Sequence, residues 1–260
     1  MNQVTVVGIG PGGRDQMTIK AWQTLEQSEV IVGYTVYVEL IKELLPEKEY
    51  RTTPMRREED RCRMAFEEAR KGRRVAMVCS GDGGVYGMSG LMLTLGTEYP
   101  DISVEMVPGV TAALAGGALL GAPLVHDFAV ISLSDLLTPW ETIEKRLRCA
   151  AMADFAICIY NPASKKRADY LYRACMILLE TVEPERLCGL VYQIGREKEQ
   201  WEVLTLNELK DRAADMFTTV FIGNSHTKEI GGKMVTPRGY GAEKGDEHGT
   251  ILPAAAGLSL

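Results

Sequence analysis

Gly8, Gly10 and Gly13 in "VVGIGPGG" (6–13) fit G-x-G-x-x-G. The run follows an apolar stretch and precedes a helical pattern, the setting in which such glycines admit a dinucleotide. Two features oppose that reading. Pro11 has no N–H to give a pyrophosphate. The next apolar run, Glu29–Val32, ends in Gly33-Tyr34, with no acid for a ribose hydroxyl. Thr18 reads as a helix N-cap ahead of an Ile19, Trp22, Leu25 stripe, so the helix starts five residues after the last glycine. The loop is expected to let a bulky group approach its backbone. A second glycine loop, "CSGDGGVYGMSG" (79–90), places Asp82 between Gly81 and the pair Gly83, Gly84. That acid either bonds a ligand or closes an Asx-turn. A third, "PGVTAA" (108–113), carries Thr111, a ligand hydroxyl or an N-cap.

These loops need strands to carry them. Strands are expected at Val4–Val7, Glu29–Val32, Arg74–Cys79 and Ser103–Val107, with helices near 18–27, 37–45, 58–71, 86–97 and 110–120. Alternation of this kind implies βαβ crossovers and a mostly parallel sheet, with ligands beyond the carboxyl ends of its strands. "GAPLVHDF" (121–128) reads as a linker. Beyond it, strands are expected at Ala129–Leu133, Phe155–Tyr160, Leu187–Gln193 and Thr218–Ile222, and helices near 140–151, 167–180 and 206–214. The fold class is therefore α/β. A first domain (1–120) has a mostly parallel sheet, a second (121–240) a mixed one, and a tail (241–260) rich in Gly, Ala and charge adds little to the core.

The bulk properties restrict partners. With 29 basic and 35 acidic residues the net charge is −6, which disfavours nucleic acid. The six cysteines form no C-x-x-C pair, and several sit in apolar runs such as "FAICIY", which fits buried thiols in a reducing cytoplasm. Three histidines without ligand spacing give no metal site. The opening "MNQVTVVG" lacks the basic start of a signal peptide. Met106–Val125 is uncharged, but its prolines and glycines suit a strand end, a short helix and a loop better than a membrane span.

"VGIGPGG", "SGDGGVYGM" and "VPGVTAALAGGALLGAPL" together resemble the tetrapyrrole methylase family, from Val4 to about Tyr240. The resemblance implies two α/β domains with S-adenosyl-L-methionine folded in a cleft between them, released as S-adenosyl-L-homocysteine, and usually a homodimer. It implies cofactor contacts at Pro11, Ser80, Gly81, Asp82, Val85, Thr111 and Ala112, at Tyr160 and Asn161 in "CIYNP", and at Gly195. Many relatives have Tyr-Met where this chain has Tyr160-Asn161. The segments 121–147, 160–167 and 234–240 resemble the branch that methylates C-17 of precorrin-3B or cobalt-factor III in cobalamin biosynthesis and couples this to ring contraction. Another methylase of the family, of C-11 or uroporphyrinogen III type, is the competing reading, and an NAD-binding oxidoreductase the competitor from another class.

Methyl transfer from a sulfonium needs orientation in a dry cleft. Contraction needs acid–base groups. The candidates cluster at His126, Asp127, Ser132, Ser134 and Asp135; the alternatives are a hinge role for His126 and Asp127, turn roles for the serines and a helix cap for Asp135. The substrate's carboxylates call for local cations. Lys165, Lys166 and Arg167 are expected at a helix start, and Arg238 lies in "TPRGY". "RREEDRCR" (56–63) reads as a solvated helix face.

Overall fold

The computed structural model describes residues 2–164 and 166–239. The first half runs β1 (Asn2–Gly8), α1 (Ile19–Gln27), β2 (Val30–Tyr34), α2 (Thr35–Lys42), β3 (Glu49–Thr53), α3 (Glu58–Arg70), β4 (Val75–Cys79), α4 (Ser89–Gly96), β5 (Ile102–Val107) and α5 (Ala112–Leu120). Its sheet has the order β3-β2-β4-β1-β5, and every pairing is parallel. The strands read as Val- and Ile-rich runs because helices cover both faces. One face packs Val4, Val6, Val32 and Met77 under Phe66 of α3 and Met92 of α4. The other packs Val7, Ile31 and Val78 under Leu25 of α1 and Ile41 of α2.

The second half runs β6 (Gly121–Ala122), β7 (Phe128–Ser132), α6 (Trp140–Met152), β8 (Ala156–Tyr160), α7 (Tyr170–Leu178), β9 (Leu187–Tyr192), β10 (Gln200–Thr205), α8 (Leu206–Leu209), β11 (Thr218–Ile222), β12 (Lys228–Ile230) and β13 (Lys233–Val235). Its main sheet, β10-β9-β11-β8-β7, is mixed: β7 and β8 are parallel, the other pairs antiparallel. Helices α6, α7 and α8 cover one face through Ile143, Leu147, Leu171 and Leu206. Helix α5, which precedes the linker, packs on the other face, where Ala113 and Leu120 meet Cys158, Val191 and Phe221. The fold is thus α/β with a parallel first sheet and a mixed second one, as the sequence reading expects, and a small third sheet, β12-β13-β6, that it does not anticipate.

Several elements differ from expectation. Edge strands β3 and β10 are not anticipated, because "EYRTT" and "QWEVLT" carry polar residues through positions that are only half covered. Ser164 to Arg167 does not start a helix. It closes a turn in which Ser164 N–H donates to the Arg167 carbonyl and Arg167 N–H to that of Ser164. Helix α7 begins only at Tyr170. The 56–63 run is not wholly solvated either: Arg61 is 4% exposed and donates through Nε to Thr53 Oγ1 (2.9 Å) and through Nη2 to the Pro54 carbonyl (3.1 Å). The uncharged stretch 106–125 divides into the end of β5, a turn, α5 and β6. Among the described residues no helix is long and apolar enough to cross a membrane.

Candidate active site

Strands β4, β1 and β5 are neighbours in the first sheet, so the three glycine loops leave its carboxyl edge side by side. Gly10 and Gly81 exchange backbone hydrogen bonds of 3.1 and 2.8 Å, extending the β1–β4 pairing into the loops. A methyl group at Gly8 would lie 2.6 Å from Gly109 N, and one at Gly109 would overlap the Gly81 carbonyl. Close loop-to-loop packing therefore accounts for these glycines, rather than the approach of a ligand that the sequence suggests. Gly12 likewise abuts the carbonyl of Gly195, joining the first loop to the second half.

Asp82 belongs to the same lattice. Its Oδ1 accepts from Gly84 N (2.7 Å) and its Oδ2 from Gly109 N (2.9 Å). Each oxygen holds a backbone N–H, so Asp82 closes an Asx-turn that also ties the second loop to the third, and it is not among the residues that line the cavity. Thr18 caps α1 as expected, accepting from Ala21 N (3.0 Å), and its hydroxyl donates to the Pro108 carbonyl (3.2 Å). Thr111 does not cap α5 with its side chain. Its hydroxyl pairs with Tyr160, whose hydroxyl accepts from Ala113 N (2.7 Å). Burial pushes the Tyr160 phenol up to about 12, so it stays protonated in this network. Tyr86 crosses in the other direction, donating to the Val130 carbonyl of β7 (2.9 Å), with its ring 5.5 Å from that of Tyr160.

A cavity of about 160 Å³ opens at this junction. The first half contributes Pro11, Ser80, Gly81, Val85, Thr111 and Ala112, all of them expected cofactor contacts. Tyr160 and Asn161 reach it from the end of β8. Gly195 does not line it; its N–H donates to Glu199 (2.6 Å), and its neighbours Gln193, Ile194 and Arg196 take the wall instead. Tyr37 in α2 and the loop residues Tyr86 and Phe217 also line it without being sequence candidates, since a helix's apolar stripe reads as core packing and an aromatic residue in a loop leaves no periodic signal. Tyr86, Asn161 and Gln193 adopt left-handed φ of 53°, 52° and 47°. Such strain in non-glycine residues concentrates where function holds the backbone. Among the described residues that line the cavity, Arg196 is the single charged one and none is acidic. Aromatic faces, hydroxyls, exposed backbone groups and one guanidinium suit a ligand with a planar base, a sugar and a carboxylate. A second hollow of about 290 Å³ opens near Asn2, Arg74 and Glu105. It runs from the amino ends of β1 and β4 along the edge strand β5 and past α1, away from the three glycine loops.

The acid–base candidates separate. Asp135 Oδ2 accepts from the Tyr170 hydroxyl (2.6 Å) and Oδ1 from Arg167 Nη1 (3.0 Å), which also donates to Ser134 Oγ (3.0 Å). The Tyr170 hydroxyl above all, then the Arg167 charge, hold the Asp135 carboxyl below its ordinary range. Asp135 does not cap a helix, since α6 starts at Trp140 behind Pro139. Asn161 Nδ2 donates to Ser132 Oγ (2.9 Å), linking this cluster to the cavity wall. His126 stands apart: it precedes β7 while Ser134 and Asp135 follow it, and an extended strand keeps them at opposite ends. Its Nδ1 accepts from Asp127 N (2.8 Å), and its side chain is half exposed. Of the expected substrate cations, Arg167 is already paired, whereas Lys166 and Arg238 are exposed and off the cavity wall. Lys165 and the tail from 241 lie outside the described residues. Among the described residues no cluster of three or more His, Cys, Asp or Glu is placed to hold a metal.

Residues 3–210 match the family described as Tetrapyrrole (Corrin/Porphyrin) Methylases. The chain is 45% identical over 238 residues to a probable cobalt-factor III C(17)-methyltransferase of Salmonella typhimurium, covering 91% of this chain and 99% of that one. It is 39% identical over 245 residues to a precorrin-3B C(17)-methyltransferase of Sinorhizobium, covering 90% and 96%. Two longer relatives are matched over only 52% and 45% of their lengths. The crystal structure of the methyltransferase CobJ superposes with a TM-score of 0.84 at 39% identity, covering 91% of this chain and all of that one.

Proposed function

Because the chain belongs to the tetrapyrrole (corrin/porphyrin) methylases, we propose that it methylates C-17 of precorrin-3B or cobalt-factor III and couples this to ring contraction in cobalamin biosynthesis. The observation that carries the reading is the 45% identity running through 99% of a relative of that name. S-adenosyl-L-methionine, when bound, supplies an electrophilic methyl group on a sulfonium. Pro11, Ser80, Gly81, Val85, Thr111, Ala112, Tyr160 and Asn161 would hold it, all of them on the wall of one cavity. Gly195 and Asp82 act behind that wall, by backbone packing and loop closure.

The rest of the chemistry falls to side chains off the cavity wall. Asp135, kept ionised by Tyr170 and Arg167, is a proton acceptor, and Ser134 shares the same guanidinium. His126 is the remaining acid–base candidate, at the far end of β7. Lys166 and Arg238, both exposed, are the open cations for the substrate's carboxylates; Lys165 and the Asp135-paired Arg167 complete the expected set of four. A cytoplasmic homodimer without nucleic-acid or membrane partners completes the reading, and light scattering tests the dimer.

The enzymatic test is incubation with each tetrapyrrole and methyl-labelled cofactor, read by mass spectrometry and by NMR of the labelled methyl. A label on C-17 with a contracted ring is expected from one of the two substrates. A label on another carbon, or none on either macrocycle, overturns the assignment.

A further inference from the structure

The guanidinium of Arg196 is an uncompensated positive charge in the wall of the cavity. It lies 4.6 Å from the centre of the Phe217 ring. Among the described residues it makes no ion pair and no side-chain hydrogen bond, although two acids follow within three residues. Glu199 is diverted, accepting from Gly195 N (2.6 Å), and Glu197 is exposed. The turn that presents Arg196 is closed by backbone hydrogen bonds. Arg196 N–H donates to the Gln193 carbonyl (3.0 Å), Glu199 N–H to the Arg196 carbonyl (3.0 Å), and Gln193 and Gly195 both sit at left-handed φ. The burial-raised Tyr37 phenol, also on the cavity wall, feels the Arg196 charge.

Half-buried arginines normally meet a carboxylate, because desolvated charge is costly without a counter-charge. Here the described residues of the wall supply aromatic rings, hydroxyls and amides but no anion, and the guanidinium fork suits a bidentate carboxylate. We infer that Arg196 receives a carboxylate of the bound ligand, either the α-carboxylate of the cofactor's methionine end or a peripheral carboxylate of the macrocycle. The inference rests on the cofactor reading above. It adds an anchor that neither the sequence motifs nor the backbone contacts provide.

Calorimetric titration separates the possibilities, with S-adenosylhomocysteine and with 5′-methylthioadenosine, which keeps the nucleoside and thioether but has no carboxylate. If the cofactor is the partner, Arg196→Met should weaken S-adenosylhomocysteine roughly 10- to 100-fold, the scale of a charge-assisted hydrogen bond. Methylthioadenosine affinity should not move, which also shows the variant folded. Arg196→Lys, retaining the charge without the fork, should lose less. If the macrocycle is the partner, S-adenosylhomocysteine affinity is unchanged and the KM for the tetrapyrrole rises by a similar factor. Unchanged affinity for both nucleosides together with an unchanged KM overturns the Arg196 inference and leaves the cofactor reading standing. Wild-type protein that binds neither nucleoside overturns the cofactor reading and this inference with it.

Discussion

Asp135 illustrates how one side chain's role follows from its partners. A carboxylate held by a tyrosine hydroxyl and a guanidinium keeps its charge to lower pH than a free one. Its folded-state pKa is depressed, so the stability it contributes is present above the unfolded value and is lost as pH falls through the folded one. Tyr170→Phe removes the largest of the lowering contacts. The Asp135 titration, followed by NMR of its carboxyl carbon, should move upward in that variant; no movement means the hydroxyl is not its anchor. Asp135→Asn should slow contraction more than methyl transfer, so that a methylated, uncontracted ring accumulates in the time course. Acid–base groups commonly contribute about 10²–10⁴-fold, an effect large enough to read. Loss of both reactions together would assign Asp135 to holding substrate. Asp82 belongs to stability instead. Asp82→Ala strands the Gly84 and Gly109 N–H groups, which should cost roughly 1–3 kcal/mol in denaturant unfolding. S-adenosylhomocysteine affinity should fall only as the loops loosen, and a large loss of affinity at unchanged stability would put the carboxylate on the ligand after all.

At the scale of elements, the site is a consequence of strand order. Only because β1 lies between β4 and β5 do three loops distant in sequence pack backbone to backbone. Gly109→Ala tests that packing, since its methyl group would overlap the Gly81 carbonyl. Overpacking of this kind costs about 1–3 kcal/mol or more, read as a lowered melting temperature. A full-stability Gly109→Ala protein would show that the loops have room to part. Helix α5 plays the complementary part. It begins at the third loop of the first sheet and buries its small residues, Ala113 and Gly116 among them, against Phe221 and Ile194 of the second half. The run of alanines and glycines that looks featureless in one dimension is what lets a helix lie close to a sheet.

Over the whole molecule, the Tyr160 phenol ties the two halves together through Thr111 and Ala113, while the half-buried phenols of Tyr50 and Tyr192 each bond within one half. Burial raises Tyr50, Tyr160 and Tyr192 each to about 12, above the ordinary phenol value of 10. Groups whose folded pKa is raised contribute stability that is complete below the unfolded value and disappears as pH rises through the folded one. The protein should therefore lose stability progressively between about pH 10 and 12, seen as a falling melting temperature. Tyr160→Phe should flatten part of that fall, at the cost of leaving Ala113 N unpaired. A melting temperature that is flat across this window would mean that the phenols titrate as if exposed.

The α/β class, the parallel first sheet and the Thr18 cap were legible in the chain, because each rests on local signals, whereas the cofactor candidates that line the cavity came from the resemblance to the family. Apolar runs, glycine loops after strands and a hydroxyl before an amphipathic stripe are all short-range. Polar edge strands β3 and β10 carry no such signal and escaped. The use to which each loop residue is put was settled only in three dimensions. Asp82 accepts from two backbone N–H groups, Asp135 faces Tyr170 and Arg167 and not a helix end, and His126 lies a strand's length from Ser134 and Asp135. Arg196 became a candidate, and Gly195 a packing contact, only once β9 was placed beside β11 and its loop against Gly12. Side-chain direction, burial and the nearest counter-charge depend on elements distant in sequence, and no local pattern encodes them.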